Sequence, residues 1–283
     1  MTAPTPQAQV SQIWIYPVKG LCGISLKASR TTSRGLMHDR RFMVVNQSGL
    51  AVTQRDYPIM ATIWTEIIGD ELELSHVDYD PVMVPLMPAP KHANEPASEH
   101  MRSVQVWSST VQAQAVSGEA DAWLSALIGA PVTLVYMPDS TERACSTTYA
   151  KNGEIVSFAD GYPLLITLEE SLHDLNARIK TRDTKHYPLP MNRFRSNIVL
   201  KDLPAWSEDS LTNLQLGTAK FSAVKPCSRC GVTTTDQATG IVEGPEPLLT
   251  LSSFHQTEIG LIFGMNLVVV ENGVVACGDK FVD

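Results

Sequence analysis

The run Lys225-Pro226-Cys227-Ser228-Arg229-Cys230-Gly231 places two of the chain's five cysteines three residues apart. A pair at that spacing suits a zinc clip, a redox disulfide or a thiolate ligand for another metal. Structural zinc takes four ligands, so a second Cys-x-x-Cys or a histidine pair should stand nearby. None does: Cys22, Cys145 and Cys277 are scattered, and no two of the seven histidines fall at close ligand spacing. A thioredoxin-like pair needs its first cysteine at a helix N-terminus that follows a strand. Phe221–Val224 has strand character, but GVTTTDQATG after Cys230 is β-branched and turn-forming, not helical. Composition alone favours two buried thiols packed as small hydrophobes, and Cys22 reads as a structural thiol of that kind.

The pair has charged company. Lys19 ends the run Tyr16-Pro17-Val18, Arg40 and Arg41 lead into Phe42, and Arg55 closes Val52-Thr53-Gln54. Later come Asp160, Gly161 and Tyr162 in FADGYP, then Arg193, Arg195 and Asn197 in NRFRSN. Taken singly, each cation reads as a solvated surface charge. Taken together they sit at strand ends and loops, where scaffolds carry function. Arginine's planar fork suits a phosphate or a carboxylate.

The elements that would position these groups are mostly short strands. Ser11–Val18 is rich in strand formers, and Arg41–Asn46 with Leu50–Thr53 reads as a hairpin turning at Gly49. Ala61–Ile67 and Glu71–His76 flank a Gly-Asp turn. Leu267–Val270 and Val274–Cys277 are joined by Glu271-Asn272-Gly273, and Asn-Gly is a strong hairpin signal. Two helices are expected: Ser117–Ile128, with an acidic first turn, and Leu168–Ile179, with Thr167 and Glu170 as a capping box. Pro81–Glu99 carries five prolines and reads as a long irregular loop. The fold class is mainly β with minor α. A boundary near the first helix gives an N-terminal β-barrel-like domain, 1–128, and a C-terminal β-barrel, 129–283.

Bulk composition narrows the function classes. At 283 residues, 43% hydrophobic and 18% charged, the chain can bury an ample core. A net charge of −8 argues against nucleic acid or anionic lipid as partners. An odd cysteine count fits a reducing compartment. The opening MTAPTPQAQV has no secretory or transit character, and no apolar window is long enough for a membrane span. The expectation is a cytoplasmic protein without membrane contact.

In order along the chain, IYPVKG, DRRFMVVN, VTQR, FADGYPLLI, SLHDLNARI, NRFRSNIVL, KPCSRCGVTTTDQATG and FGMNLVVV with a closing GD resemble the MOSC-domain family in its two-part form. That form joins an N-terminal MOSC-associated β-barrel domain to the MOSC domain, and groups the mitochondrial amidoxime-reducing component with bacterial YcbX-type proteins. The resemblance runs from about Val10 to about Val282. It implies a bound molybdenum cofactor, a pyranopterin dithiolene with a terminal phosphate. By the same resemblance Cys230 is the protein thiolate on molybdenum, a soft ligand for that metal, and Cys227 is a neighbour. Lys19 and Arg40 match residues holding the pterin and phosphate, and Arg55 the equivalent hairpin arginine. Arg195 and Asn197 match the family's F-R-x-N element, where Ser196 replaces the commoner proline, and Ser228 lies in the cysteine loop. Asp160 matches an acidic residue close to the metal, beside its plainer reading as a turn former before Gly161. Gly161 and Tyr162 stand where the mitochondrial proteins carry small hydroxyl residues.

The activity implied is two-electron N–O cleavage of amidoximes, hydroxylamines and N-hydroxylated nucleobases, with Cys230 and Asp160 as the catalytic residues. No C-x₄-C-x₂-C run is present for an iron–sulfur cluster. Electrons are therefore expected from a separate ferredoxin, flavodoxin or flavin reductase. The alternatives are a cofactor carrier or sulfur-transfer protein bearing a persulfide on Cys230, and a non-catalytic β-domain in which the cysteine pair is packing.

Overall fold

The computed structural model describes residues 7–88, 101–182 and 187–282. The chain enters as β1 (Gln9–Ile15), β2 (Val18–Lys19), β3 (Ile24–Leu26), β4 (Ala28–Thr32), β5 (Gly35–Leu36) and β6 (Phe42–Asn46). A meander follows, β7 (Trp64–Ile68), β8 (Glu71–His76) and β9 (Tyr79–Pro85), then a hairpin, β10 (Met101–Val106) and β11 (Ser109–Ala115). Helix α1 (Gly118–Ile128) and β12 (Val132–Tyr136) complete the first half. The second half holds β13 (Leu164–Leu168), α2 (Glu169–Lys180), β14 (Ile198–Lys201), β15 (Asn213–Leu216) and β16 (Ala219–Ser228). It ends with α3 (Leu248–Leu251), β17 (Gln256–Thr257), β18 (Gly260–Glu271), β19 (Val274–Ala276) and β20 (Phe281–Val282). The architecture is mainly β with minor α, as the sequence pattern predicts.

Two sheets organise the molecule. The larger runs β20-β15-β16-β18-β13-β14-β1-β3 with β17 beside β18, and the smaller runs β10-β11-β12-β6-β2. β1 lies antiparallel to β14, with Ile13 opposite Ile198, so the first strand belongs to the larger sheet. Two residues later β2 pairs parallel with β6 in the smaller one. Tyr16–Lys19 therefore crosses the seam between the sheets, which is how a lysine from the N-terminal half reaches the cysteine loop. Each sheet has its own core. Phe42, Val44, Leu72, Leu74 and Leu124 pack on one side of the seam, and Ile13, Ile166, Ile198, Phe221 and Leu267 on the other. No helix among the described residues is long and apolar enough to cross a membrane.

Local structure departs from the sequence reading at four places. Pro81–Pro85 is not loop: Val84 pairs with Leu72 and Val82 with Leu74, both valines buried. Pro81 falls within the register shift between Leu74 and His76, and Pro85 ends the outer strand of the meander, positions where a missing N–H costs little. Of the rest of that expected loop, 86–88 are irregular, with Leu86 buried, and 89–99 lie outside the described residues, as do residues 1–6. Ala61–Thr62 ends a 3₁₀ turn (Pro58–Thr62) rather than opening a strand. The Thr167/Glu170 capping box does not form. Thr167 is a buried strand residue whose hydroxyl donates to Ser196 Oγ at 2.9 Å, and Glu170 Oε1 accepts from the Asp202 N–H at 2.7 Å. Finally, Asn272-Gly273 makes a corner, not a hairpin. β19 leaves to pair with β4, and a Cβ on Gly273 would lie 2.5 Å from the Thr218 carbonyl carbon.

Helix α1 agrees with its sequence signals within one residue. Ser117 caps it, its Oγ accepting from the Ala120 N–H, and Gly129 closes it at φ +76°.

Candidate functional site

At the seam, a cleft open to solvent collects residues from both halves. Its lining includes every site residue singled out in the sequence: Lys19, Arg40, Arg55, Asp160, Gly161, Tyr162, Arg195, Asn197, Ser228 and Cys230.

One wall is built on Tyr16. Its ring meets two guanidiniums, Arg40 Cζ 4.4 Å and Arg195 Cζ 4.2 Å from the ring centroid. Both arginines adopt left-handed backbone, φ +47° and +55°, at bends that aim their side chains into the seam. Arg40 is held by three hydrogen bonds. Nη1 donates to Asp39 Oδ2 at 2.7 Å and Asn197 Oδ1 at 2.9 Å, and Nη2 to the Arg195 carbonyl at 3.0 Å. Asn197 is equally committed: its Oδ1 also accepts from the Leu165 N–H and its Nδ2 donates to the Trp14 carbonyl. Its visible role is to fix Arg40. Burial pushes the Asp39 carboxyl up against the opposing pull of Arg40. Arg195 is different. It reaches Gln237 Oε1 only at 3.5 Å, its Nη2 is buried without a partner among the described residues, and burial lowers it to about 10.

The opposite wall centres on Asp160. Its Oδ1 accepts from Lys19 Nζ at 2.5 Å and from Trp107 Nε1 at 3.1 Å. This carboxylate is 69% exposed, and the Lys19 ammonium with the two hydrogen bonds holds it below the usual range. Burial lowers the Lys19 ammonium, opposed by Asp160. The loop carrying Asp160 is held from behind by buried Arg143, which donates to the carbonyls of Ser157, Ala159 and Asp160. Arg55 lays its guanidinium 4.5 Å from the Trp107 ring centroid.

The cysteines sit at the third side. β16 is longer than the expected Phe221–Val224 and carries Cys227 and Ser228 at its end, past a register shift around Pro226. Arg229 Nη1 donates to Cys227 Sγ at 3.0 Å and Nη2 to the Phe194 carbonyl at 2.8 Å. Cys230 is exposed and heads a 3₁₀ turn, Gly231–Thr234, not a helix. That turn is clamped by Arg193, 3% exposed, whose Nη1 donates to the Thr234 carbonyl and whose Nη2 meets Asp236 and Glu243 at 2.9 Å each. By contrast, burial pushes the Cys22 and Cys145 thiols up to about 11, as inert structural thiols require. Among the described residues no group of three or more His, Cys, Asp or Glu is placed to hold a metal ion by itself.

The chemistry of this lining suits a large anion that brings its own metal ligands. Five cations, Lys19, Arg40, Arg55, Arg195 and Arg229, face the cleft in a protein of net charge −8. Among the described residues Arg195 leaves a buried N–H unpartnered, and the Arg55 guanidinium meets the Trp107 ring but no hydrogen-bond acceptor. A soft thiolate, Cys230, stands exposed beside them.

Sequence reasoning missed Trp107, Tyr16 and Arg143. Tyr16 stood within the quoted IYPVKG, but its contacts with Arg195 span 179 positions. Trp107 and Arg143 lie outside any motif. Only an aromatic residue in a two-residue turn marked Trp107.

Residues 7–131 match the family model of the MOSC N-terminal beta barrel domain, and residues 153–282 that of the MOSC domain. The chain is 30% identical over 288 residues to mitochondrial amidoxime-reducing component 1 of Homo sapiens, covering 95% of this chain and 81% of that protein. Its counterpart from Mus musculus is 29% identical over 287 residues, covering 95% and 80%. Molybdenum cofactor sulfurase of Oryza sativa subsp. japonica is 30% identical over 271 residues, which is 91% of this chain but 32% of that protein.

Proposed function

Because the chain belongs to the MOSC-domain family in its two-part form, we propose that it is a molybdenum-cofactor-dependent oxidoreductase reducing N-hydroxylated compounds. The observation that carries this reading is the exposed Cys230 thiol in a cleft lined by five cations. Cys230 would ligate the metal. Arg195, with its unpartnered buried Nη2, and Arg55, Arg40 and Lys19 would hold the anionic pterin and phosphate. When bound, the cofactor supplies a soft metal centre that stores and delivers two electrons. Ser228, Gly161 and Tyr162 shape the wall between them. Asn197 keeps Arg40 aimed, and Arg193 keeps the turn behind Cys230 in place.

Asp160 stays ionised, so its part is to fix Lys19 and Trp107 at the reacting wall rather than to exchange protons near neutral pH. The net conversion takes an amidoxime or hydroxylamine, two electrons and two protons to the amidine or amine plus water. The substrates are amidoximes, hydroxylamines and N-hydroxylated nucleobases. The electrons come from a separate donor, a ferredoxin, flavodoxin or flavin reductase. We place the reaction in the cytoplasm, where five unpaired thiols stay reduced.

The test is to purify the protein from a host that makes the cofactor, measure molybdenum, and follow conversion of 6-hydroxylaminopurine to adenine. The expected result is near-stoichiometric molybdenum and turnover that vanishes in Cys230→Ala but persists in Cys227→Ala. Similarity to the rice cofactor sulfurase supports a second reading, sulfur transfer through a Cys230 persulfide. Sulfane sulfur on Cys230 with no turnover would favour it over the first.

A further inference from the structure

Trp107 is an expensive residue where it stands. It occupies the first position of the two-residue turn between β10 and β11, where Val106 pairs with Ser109. Its φ is +55°, and no positive φ is found at Ser108. Turns with left-handed backbone at the first central position alone favour glycine there. A bulky side chain in that conformation is strained, and such strain tends to persist at functional sites.

Nor is the indole there for packing. It is 51% exposed, outside every core cluster. What holds it is polar: Nε1–H donates to Asp160 Oδ1, and Arg55 lies over the ring at 4.5 Å. The side chain is thus pinned by two groups of the cleft wall while half of its surface faces solvent at the mouth. An aromatic plane backed by a guanidinium and left open is a stacking platform for a flat conjugated ligand.

We propose that Trp107 is the specificity-determining residue of the cleft, stacking on planar conjugated substrates such as hydroxylaminopurines and aryl amidoximes and favouring them over compact aliphatic hydroxylamines. The choice of substrate rests on the reductase reading above. The platform itself does not, since it would bind a flat product as well. The pterin is the other flat group that could lie on Trp107, and we assign the platform to substrate because the indole is half exposed, whereas the unpartnered Arg195 Nη2 offered to the cofactor is buried.

The test compares wild type, Trp107→Ala and Trp107→Phe as molybdenum-loaded protein. Steady-state rates are taken with 6-hydroxylaminopurine and with N-methylhydroxylamine, molybdenum is measured, and adenine binding is followed by calorimetry. Trp107→Ala should raise KM for the purine about tenfold and KM for N-methylhydroxylamine by much less. Adenine affinity should fall by a similar factor, and Trp107→Phe should restore most of both. Equal KM changes for both substrates, unchanged adenine binding, or molybdenum lost from Trp107→Ala would overturn the proposal. No turnover of either compound by wild type would sink the reductase reading instead. The adenine measurement would then still decide whether Trp107 is a stacking platform.

Discussion

Lys19 Nζ and Asp160 Oδ1 meet at 2.5 Å across 141 positions of sequence, one contributed by the smaller sheet and one by the loop before β13. The pair joins the two halves of the chain at the mouth of the cleft. It also sets the protonation of the wall. An Asp held below its ordinary value of 3.8 is ionised at lower pH folded than unfolded. Its contribution to stability is present above 3.8 and is lost as pH falls through the folded value.

Replacing Lys19 by Met should weaken that contribution. Without the ammonium and its hydrogen bond, the Asp160 carboxyl moves upward toward its ordinary value. Carbon-detected NMR of Asp160 should place its titration midpoint at higher pH in Lys19→Met than in wild type. An Asp160 titration unchanged in Lys19→Met would mean that Trp107 and the more distant arginines hold the carboxylate instead.

Arg195 should separate binding from stability. A buried guanidinium with an unpartnered Nη2, lowered to about 10 by burial, contributes little to the metal-free fold beyond its contact with Tyr16. Arg195→Met should therefore move the metal-free Tm by no more than about 4 °C. The same change should lower molybdenum retention on dialysis by about tenfold or more, the scale of a lost charged hydrogen bond. Arg195→Lys should not restore retention, because an ammonium lacks the planar fork. Full retention in Arg195→Met would remove Arg195 from the cofactor grip.

What could be read in the sequence divides by range. Cys230, Lys19, Arg40 and Arg195 stood out because charged and thiol residues at strand ends are unusual in a net-acidic chain, and a family motif surrounds each. Trp107 and Arg143 act through contacts 53 and 17 positions away, with Asp160 as the shared partner, and neither carries a local signature. The misread elements failed for a common reason. Asn272-Gly273 and Thr167/Glu170 are correct local signals overruled by packing. Thr218–Ala219 crowds Gly273 so closely that only a corner fits, and the Thr167 hydroxyl is already engaged with Ser196 inside the sheet. Pro81 marks a break within the meander's outer strand and Pro85 its end, because that strand can spare their N–H groups.

Two glycines near the cleft should respond oppositely to the same methyl group. Gly264 has φ +82°, and a Cβ there would lie 2.7 Å from the Ile166 carbonyl oxygen, where β18 closes on β13. Gly161 lines the cleft with nothing within 4 Å of its virtual Cβ. Gly264→Ala should cost about 2 kcal/mol and lower Tm by about 4–8 °C, while Gly161→Ala stays within about 1 °C. Thermal melts of the two variants decide it, and equal shifts would contradict the close approach of the strands.

Glu208 predicts the protein's pH response away from the cleft. It is fully buried, its Oε2 accepting from Ser171 Oγ at 2.7 Å and its Oε1 unpartnered. Burial pushes its carboxyl up to about 7, with Asp209 adding to the rise and Ser171 and His255 opposing it. An acid raised from 4.5 to about 7 binds more protons folded than unfolded between those values. Stability therefore falls as pH rises through that window and stays reduced above it. Glu208→Gln keeps the shape and the bond from Ser171 without the charge. Its Tm should match wild type near pH 5 and exceed it by several degrees at pH 8. The Asp209–His255 pair, 2.7 Å apart, lies beside residue 208 in both proteins, so the difference between variant and wild type is the quantity to follow. A difference that does not change between pH 5 and pH 8 would show that Glu208 is ionised in the folded protein throughout, with a counter-charge that its surroundings do not supply.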